Sequence, residues 1–304
     1  MLTERDLSIV EHLYRYYVLS RGQIQRLCFE KDASGRVCRR RLQTLVEGQF
    51  VRRLPLLLAP PGTPNASSQG SVYYPALRGL ELLAEYRDDE RFLLGTTRTP
   101  QMHRLWHWLA VSETHMALDA AIRSQSGVIC PQFYNEWDIV NKDATAPEQR
   151  FRLYLLLQEK PRLVCAPDAA FLIDVAGLRK VFYLEQDRNT SSATQAAASK
   201  SKGYAVMAER QLQRRHFPDE NVGAFSFLVV APCSYRRDAL RKAFRDQPGS
   251  KLWKFAAEQD VTAEKFLFEP VFYPCEGEAS ALVNRKSLPR VVEATAVKRS
   301  ANHV

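Results

Sequence analysis

The sequence of 304 residues has no long apolar run and no closely spaced pair of cysteines. A membrane-spanning helix needs about 20 consecutive, mostly apolar residues, so we expect no membrane contact. The start of the chain, residues 1–6, carries acidic side chains at once and lacks the basic start and apolar run of a signal peptide. The six cysteines are scattered, which favours reduced thiols over disulfides or a thiolate zinc site. These absences predict a cytoplasmic protein.

The positive charge of the chain is concentrated near its two ends. The formal net charge is +9, and the composition, 45% hydrophobic and 25% charged, is ordinary for a globular protein. Residues 1–55 hold eleven Lys/Arg against six Asp/Glu, and residues 280–304 hold five against one. A basic protein of this kind favours an anionic partner, which charge alone does not identify.

Residues 1–48 show three short amphipathic patterns, each preceded by a helix-capping residue. Thr3 and Ser20 are expected to cap the first two helices. We expect Ser34 to cap a third helix from Arg36 to Glu47, which Gly48 ends in a left-handed conformation. In that helix Cys38, Leu42 and Leu45 share one face, which predicts burial.

Two strand-like segments follow, from Phe50 to Leu54 and from Ser71 to Tyr74, around a polar loop at 60–70. Three helices and a hairpin predict a winged helix-turn-helix DNA-binding domain over residues 1–90. The exposed basic and polar side chains of the third helix and the hairpin would contact double-stranded DNA: Arg36, Arg39, Arg40, Gln43, Arg52 and Arg53. A solvated helix face, or a winged helix that binds protein, are the alternatives.

The middle of the chain predicts an α/β domain over residues 100–275. A helix from Leu77 to Tyr86 and a polar linker at 87–101 precede a long helix from Met102 to Ser124. His103, His107 and His115 lie on that helix, and we interpret each as a core or capping residue rather than a metal ligand. Strand-like runs follow at 128–140, 151–157, 165–174, 180–186 and 224–230, with a helix at 191–214 before the last of them.

The remaining patterns are weaker. We expect a basic helix from Tyr235 to Arg245, capped by Ser234, and a last strand from Lys265 to Tyr273. Residues 276–304 have a loose, basic composition, which predicts a flexible tail with nonspecific attraction to phosphate.

Two central stretches place carboxylates on adjacent predicted strands. Asp168 opens one strand, and Glu185 and Asp187 lie two residues apart at the end of the next, so both project from one face. Carboxylates at the end of an apolar strand are costly unless paired or bound to a cation. Three oxygen donors suit Mg²⁺ or Mn²⁺, so we expect a metal site formed by Asp168, Glu185 and Asp187. A salt-bridge network without metal is the alternative.

This arrangement resembles the restriction-endonuclease-like PD-(D/E)xK nuclease core. The resemblance implies that Asp168 and Glu185 hold the metal and that a lysine two residues later assists the attacking water. Asp187 occupies that lysine position here. The resemblance implies that a lysine of the following helix, Lys200 or Lys202, replaces it, and Lys202 is our candidate. It also implies that Glu113, on the earlier helix, adds a ligand.

The chain as a whole resembles the plasmid replication-relaxation family. The resemblance rests on the stretch "HWLAVSE", on Trp137, and on the block "PDAAFLI", "FYLEQDRNT" and "KSKGY", within residues 1–230. It implies a DNA-binding protein of a plasmid or other mobile element, associated with plasmid or nucleoid and acting in replication, relaxation or mobilisation. A homodimer and replication or mobilisation proteins are partners to expect. Two alternatives stay open: a metal-dependent endonuclease, and a non-catalytic regulator with a degenerate nuclease fold.

Overall fold

The described residues up to Arg87 form a helical module with a small sheet. The structure is a computed structural model that describes residues 2–56, 70–218 and 222–288. The module contains, in chain order, α1 (Glu4–Tyr16), β1 (Leu19–Ser20), α2 (Arg21–Cys28), α3 (Arg36–Glu47), β2 (Val51–Leu56), β3 (Gly70–Pro75) and α4 (Leu77–Arg87). Its three strands are antiparallel in the order β1, β3, β2. The polar loop predicted at 60–70 lies almost entirely outside the described residues.

The expected capping residues hold the first two helices but not the third. The Asp6 carboxylate accepts from the Thr3 amide, and Ser20 Oγ accepts from the Gln23 amide. The prediction for Ser34 is off by one residue, since Gly35, at φ 65°, is the N-cap of α3. Ser34 Oγ still accepts from the Arg36 amide. Gly48 is right-handed, and Gln49, at φ 59°, takes the left-handed position instead.

The stretch expected as a linker, residues 87–101, packs against the module. It contains a short 3₁₀ helix at Glu90–Leu94. The Phe92 ring meets Tyr14 edge to face at 4.8 Å, and Tyr17 Oη donates to the Arg98 carbonyl at 2.8 Å. These contacts fix the path of the chain between the module and the rest of the molecule.

The remaining chain builds a mixed sheet with helices on both faces. Its elements are α5 (Leu105–Arg123), β4 (Val128–Asn135), α6 (Pro147–Arg150), β5 (Leu155–Gln158), β6 (Leu163–Cys165), β7 (Ala169–Val175), β8 (Leu178–Gln186), α7 (Ala193–Glu209), α8 (Gln213–His216), β9 (Phe225–Ala231), α9 (Ser234–Phe244), β10 (Trp253–Ala257) and β11 (Tyr273–Pro274). Short 3₁₀ helices lie at Met102–Arg104, Ser250–Leu252, Glu258–Asp260 and Arg285–Ser287. No helix in the described ranges is long and apolar enough to cross a bilayer.

The six main strands run in the order β11, β10, β9, β8, β7, β4, and β5 pairs separately with β6. Strands β8, β9 and β10 are parallel, joined by crossovers through α7 and α9, whereas β4, β7 and β11 pair antiparallel with their neighbours. Helix α5 packs on one face of the sheet, and α7 and α9 pack on the other. The fold is therefore α+β with a mixed sheet, as the sequence predicted in outline.

Several predicted elements differ from the structure. The helix expected at 191–214 ends at Glu209, and Gln211 is left-handed at φ 51° before α8 begins. The prediction of a strand from Lys265 to Tyr273 is wrong, because the backbone hydrogen bonds of this segment are local: the Phe266 amide donates to the Thr262 carbonyl. Strand β10 was not predicted. The first part of the expected tail packs on the core, since Val283 is buried.

An ion pair between an exposed arginine and a buried carboxylate joins the N-terminal module to α5. Arg15 on α1 donates two hydrogen bonds of 2.6 Å to the Asp119 carboxylate, and Tyr16 Oη donates a third, also of 2.6 Å. Ser112 Oγ donates to the carbonyls of Tyr16 and Val18. Since Asp119 is 6% exposed, its charge is stabilised almost entirely by these partners.

We expect Asp119→Asn to lower the free energy of unfolding by about 2 kcal/mol, because the change weakens the contact with Arg15 and disturbs the buried Tyr16 hydroxyl. Denaturant titration would measure the loss. Glu11→Gln is the matched control, because Glu11 and Arg87 form a half-exposed pair between α1 and α4. Such pairs contribute at most about 1 kcal/mol. Equal losses in the two variants would contradict the anchoring role of Asp119.

Candidate active site

Two of the predicted site residues, Asp168 and Glu185, meet where β8 ends and β7 begins. Asp168 immediately precedes β7, and its amide donates to the Leu184 carbonyl at 3.0 Å, which places it beside Glu185. Both carboxylates line a cavity of about 560 Å³, here named the acidic cavity, together with Asp187, Lys200 and His107. The antiparallel pairing of β7 with β8 is what brings the two strand ends together.

Asp168 is the central carboxylate of the cavity. It is 6% exposed; Oδ2 accepts from the Gln186 amide at 2.7 Å, and Oδ1 lies 3.0 Å from His107 Nε2. Burial by itself would raise the pKa of Asp168, but His107, Lys200 and the Gln186 amide outweigh it and hold the pKa at about 2. Asp168 is therefore ionised at neutral pH despite its burial.

His107, Glu136 and Asp168 form a set of ligand atoms that suits a cation. One donor atom from each lies within 4.8 Å of the other two. Arg104 and Trp108 Nε1 donate to the Glu136 carboxylate. Burial and the repulsion of Asp168 raise the pKa of Glu136, and a cation between the two would relieve that repulsion. One imidazole and two carboxylates fit Mn²⁺ or another divalent transition metal better than Mg²⁺.

Glu185 lies deeper and is held by α7. Lys200 Nζ and Tyr204 Oη, one helical turn apart, both donate to its carboxylate. Gly203 makes this approach feasible, because a Cβ there would lie 2.5 Å from the Val164 carbonyl oxygen on β6. Burial, against the attraction of Lys200, raises the pKa of Glu185 to about 7. The nearby carboxylates of Glu185 and Asp168 raise the pKa of the Lys200 ammonium, which stays charged.

The other predicted site residues are placed differently. Glu185 and Asp187 face the same side of the sheet, as the alternation predicts, but Asp187 forms two hydrogen bonds of 2.8 and 2.9 Å with Arg236 on α9. Lys202 is exposed and does not line the acidic cavity. Glu113 accepts from Arg26 and Gln23 of the N-terminal module, so the expectation of a further ligand there is not met.

Glu136 was not predicted as a site residue, and His107 was interpreted as a core or capping residue. His107 bonds to Asp168, whereas His115 is a core residue, as expected, stacked on Phe133 at 3.4 Å. The Glu136 amide donates to the Asp168 carbonyl at the end of β4, which brings the acid to the site. The next residue, Trp137, was the only residue near Glu136 that the family resemblance had singled out.

The predicted DNA-contact residues lie on helix α3 and strand β2 of the N-terminal module. All six are exposed: Arg36, Arg39, Arg40, Gln43, Arg52 and Arg53. A groove of about 910 Å³ runs between α3 and the β2–β3 hairpin, and Arg39, Gln43 and Arg53 line it. Arg41, by contrast, turns inward to the buried carboxylate of Asp6. The opposite face of α3 is buried, as predicted.

A family model described as replication-relaxation matches residues 10–222, which include most of the module, His107, Glu136 and the acidic cavity as far as Lys200. The chain belongs to the replication-relaxation family. None of the curated proteins matches this family member.

Among solved structures, the restriction endonuclease FokI matches with a TM-score of 0.30 and 11% sequence identity. The match covers 84% of this chain and 42% of the FokI chain, so the family member aligns with less than half of that enzyme.

We expect Lys200→Met to destabilise the metal-free protein by about 2 kcal/mol at pH 8, because Glu185 loses its counter-charge. The wild-type pKa of Glu185, about 7, already exceeds its ordinary value and rises further in the variant. An acid whose pKa is higher in the folded than in the unfolded state favours the folded protein while it is protonated, and this contribution is lost as pH rises through the folded-state pKa. We therefore expect the Lys200→Met variant to lose less stability at pH 5 than at pH 8. Thermal unfolding in EDTA would measure it.

Lys202→Met is the matched control, since Lys202 is exposed on the same helix. We expect its effect to stay within about 0.5 kcal/mol at both pH values. A Lys200→Met defect that does not depend on pH would contradict the assigned pairing of Lys200 with Glu185.

Proposed function

We propose that this protein binds the DNA of a plasmid or other mobile element through its N-terminal module and hydrolyses a phosphodiester bond at the acidic cavity. The observation that supports it best is that His107, Glu136 and Asp168 place ligand atoms within 4.8 Å of one another beside the acidic cavity, which Lys200 also lines. Carboxylates that hold a cation, beside an ammonium, suit a reaction at a phosphate.

His107, Glu136 and Asp168 would hold the divalent cation. When bound, it would supply Lewis-acid polarisation of the phosphate and a more acidic water. Asp168, with its low pKa, is ionised at neutral pH and needs no proton removed before it binds a cation. The Lys200 ammonium, fixed by Glu185, would stabilise the negative charge that develops on the phosphate oxygens. Arg104, which bonds to Glu136, would keep that carboxylate oriented.

For the proposed DNA contact we interpret the module, with its three helices and β-hairpin, as a winged helix-turn-helix. Helix α3 would enter the major groove and present Arg36, Arg39 and Arg40, while Arg52 and Arg53 on β2 would contact the backbone. Within the described residues, no carboxylate forms an ion pair with Arg36, Arg39 or Arg40, so phosphate and base edges are their available partners.

A second candidate function is DNA binding without cleavage. The observation that favours it is the closed contact of Glu185 with Lys200 and Tyr204, which leaves this carboxylate paired before any metal arrives. In that case the acidic cavity would be a structural network, and the module alone would perform the function in replication or relaxation.

Cleavage of supercoiled plasmid DNA in Mn²⁺ or Mg²⁺ tests the catalytic proposal. We expect Asp168→Asn and Glu136→Gln to lower the rate about 100-fold or more, because each removes a charge that holds the cation. Lys202→Ala, on the exposed face of α7, should cleave at the wild-type rate. Circular dichroism would verify folding, and electron paramagnetic resonance of added Mn²⁺ would report cation binding independently of activity. A rate unchanged in Asp168→Asn, or no wild-type cleavage in either cation, would refute catalysis.

Electrophoretic mobility shifts with duplex DNA test the module. We expect Arg36→Ala and Arg40→Ala each to weaken binding about tenfold, and wild-type affinity to fall steeply with salt because phosphate contacts release counterions. Arg91→Ala is the matched control, because Arg91 is 83% exposed and pairs with Asp89 away from α3. Binding that is insensitive to salt, or equal loss in all three variants, would point to a module that contacts protein instead.

A further inference from the structure

A second cavity opens on the other side of Asp168. Its volume is about 580 Å³, within the usual range for a site that binds a small molecule or a nucleotide. It shares Asp168, Lys200 and Arg104 with the acidic cavity, so these three residues lie between the two cavities. We name it the aromatic cavity after the rings that line it: Tyr17, Trp108, Trp137, Phe151 and Tyr154.

The rings form an inner cluster and an outer rim. Tyr17 lies 5.4 Å from Trp108 and 5.3 Å from Trp137, and all three side chains are buried. Phe151 and Tyr154 are half-buried, so parts of their surfaces remain open to the cavity. Stacking on such partly exposed rings is how proteins bind nucleobases without reading sequence, at about 1–3 kcal/mol per base.

Among the described residues that line the aromatic cavity, Arg98, Arg104 and Lys200 are basic and Glu136 and Asp168 are acidic. Arg104 and Lys200 already pair with carboxylates, which leaves Arg98 to bind a phosphate attached to the base. Arg98 is exposed at one side, and Arg104, whose guanidinium lies 5.3 Å from the Trp108 ring, stands between the rings and Glu136. Lys200 closes the side nearest Asp168. A ligand with an aromatic ring and a neighbouring anion matches this combination, and a nucleotide has both.

We propose that the aromatic cavity binds the base of an unpaired nucleotide adjacent to the bond that is hydrolysed at Asp168. The substrate of the site would then be single-stranded DNA, or a single-stranded segment next to the duplex that the module binds. This inference rests on the proposed function, because it takes Asp168 as the reacting point. A base inside a duplex is stacked and paired, and it reaches such a cavity only after leaving the helix.

Fluorescence of 2-aminopurine separates this proposal from cleavage, because binding can be measured in EDTA. The probe is a short single-stranded oligonucleotide with one 2-aminopurine, compared with the same strand in a blunt duplex. We expect wild-type protein to quench the single strand on binding, and Phe151→Ala and Tyr154→Ala each to weaken that binding about tenfold. Tyr86→Ala is the matched control, an exposed ring on α4 that lines neither cavity.

Arg98→Ala keeps the test decisive if a ring variant fails to fold, because Arg98 is exposed and the substitution retains the backbone carbonyl to which Tyr17 donates. We expect it to weaken single-strand binding and to lower the slope of log affinity against log salt by about 0.7, the value for one phosphate contact. Free deoxynucleoside monophosphate is the competitor. If it displaced the oligonucleotide at equal concentration, the cavity would be a mononucleotide site and the polymer proposal would be overturned.

The two proposals can fail separately. Ring-dependent single-strand binding without any cleavage would support the aromatic cavity and refute the catalytic proposal. Cleavage at equal rates on blunt duplex and single strand, unchanged in Phe151→Ala and Tyr154→Ala, would overturn the aromatic cavity and leave catalysis standing.

Discussion

The buried carboxylate of Asp168 connects three parts of the chain. Its side chain accepts from the Gln186 amide at the end of β8 and contacts His107 on α5. Its carbonyl accepts from the Glu136 amide after β4. An ionised carboxylate is tolerated at 6% exposure because these donors replace water. The ends of three neighbouring strands, β4, β7 and β8, are therefore held at one point, and Asp168 lines both cavities there.

The sequence carried enough information for the outline of the fold. The spacing of Cys38, Leu42 and Leu45 predicted α3, and strand alternation placed Glu185 and Asp187 on one face. The positions of Lys200 and Lys202 around α7 could also have shown which of the two reaches the site. Lys200 and Tyr204 are four residues apart and share a face with buried residues, whereas Lys202 lies about 200° around the helix from Lys200.

Other features depend on contacts between distant segments. No local pattern relates Glu136 to His107, because they approach one another only when the end of β4 and the start of α5 meet beside Asp168. The wrong prediction of a strand at 265–273 has a different cause. Consecutive apolar residues, Phe266 to Phe268, suggest a strand by composition, but they fill the core from a turn, and β10 occupies the place in the sheet.

Helix α5 carries contacts to both halves of the molecule. His107 near its first turn bonds to Asp168, and Asp119 near its last turns holds α1 through Arg15 and Tyr16. Twelve residues of α-helix separate them, about 18 Å along the axis. Because an α-helix of this length is rigid, α5 fixes the distance between these two contacts. If the module holds duplex DNA, the spacing between the bound site and the bond presented to Asp168 is set by the length of α5, and adding or removing a helical turn would move it.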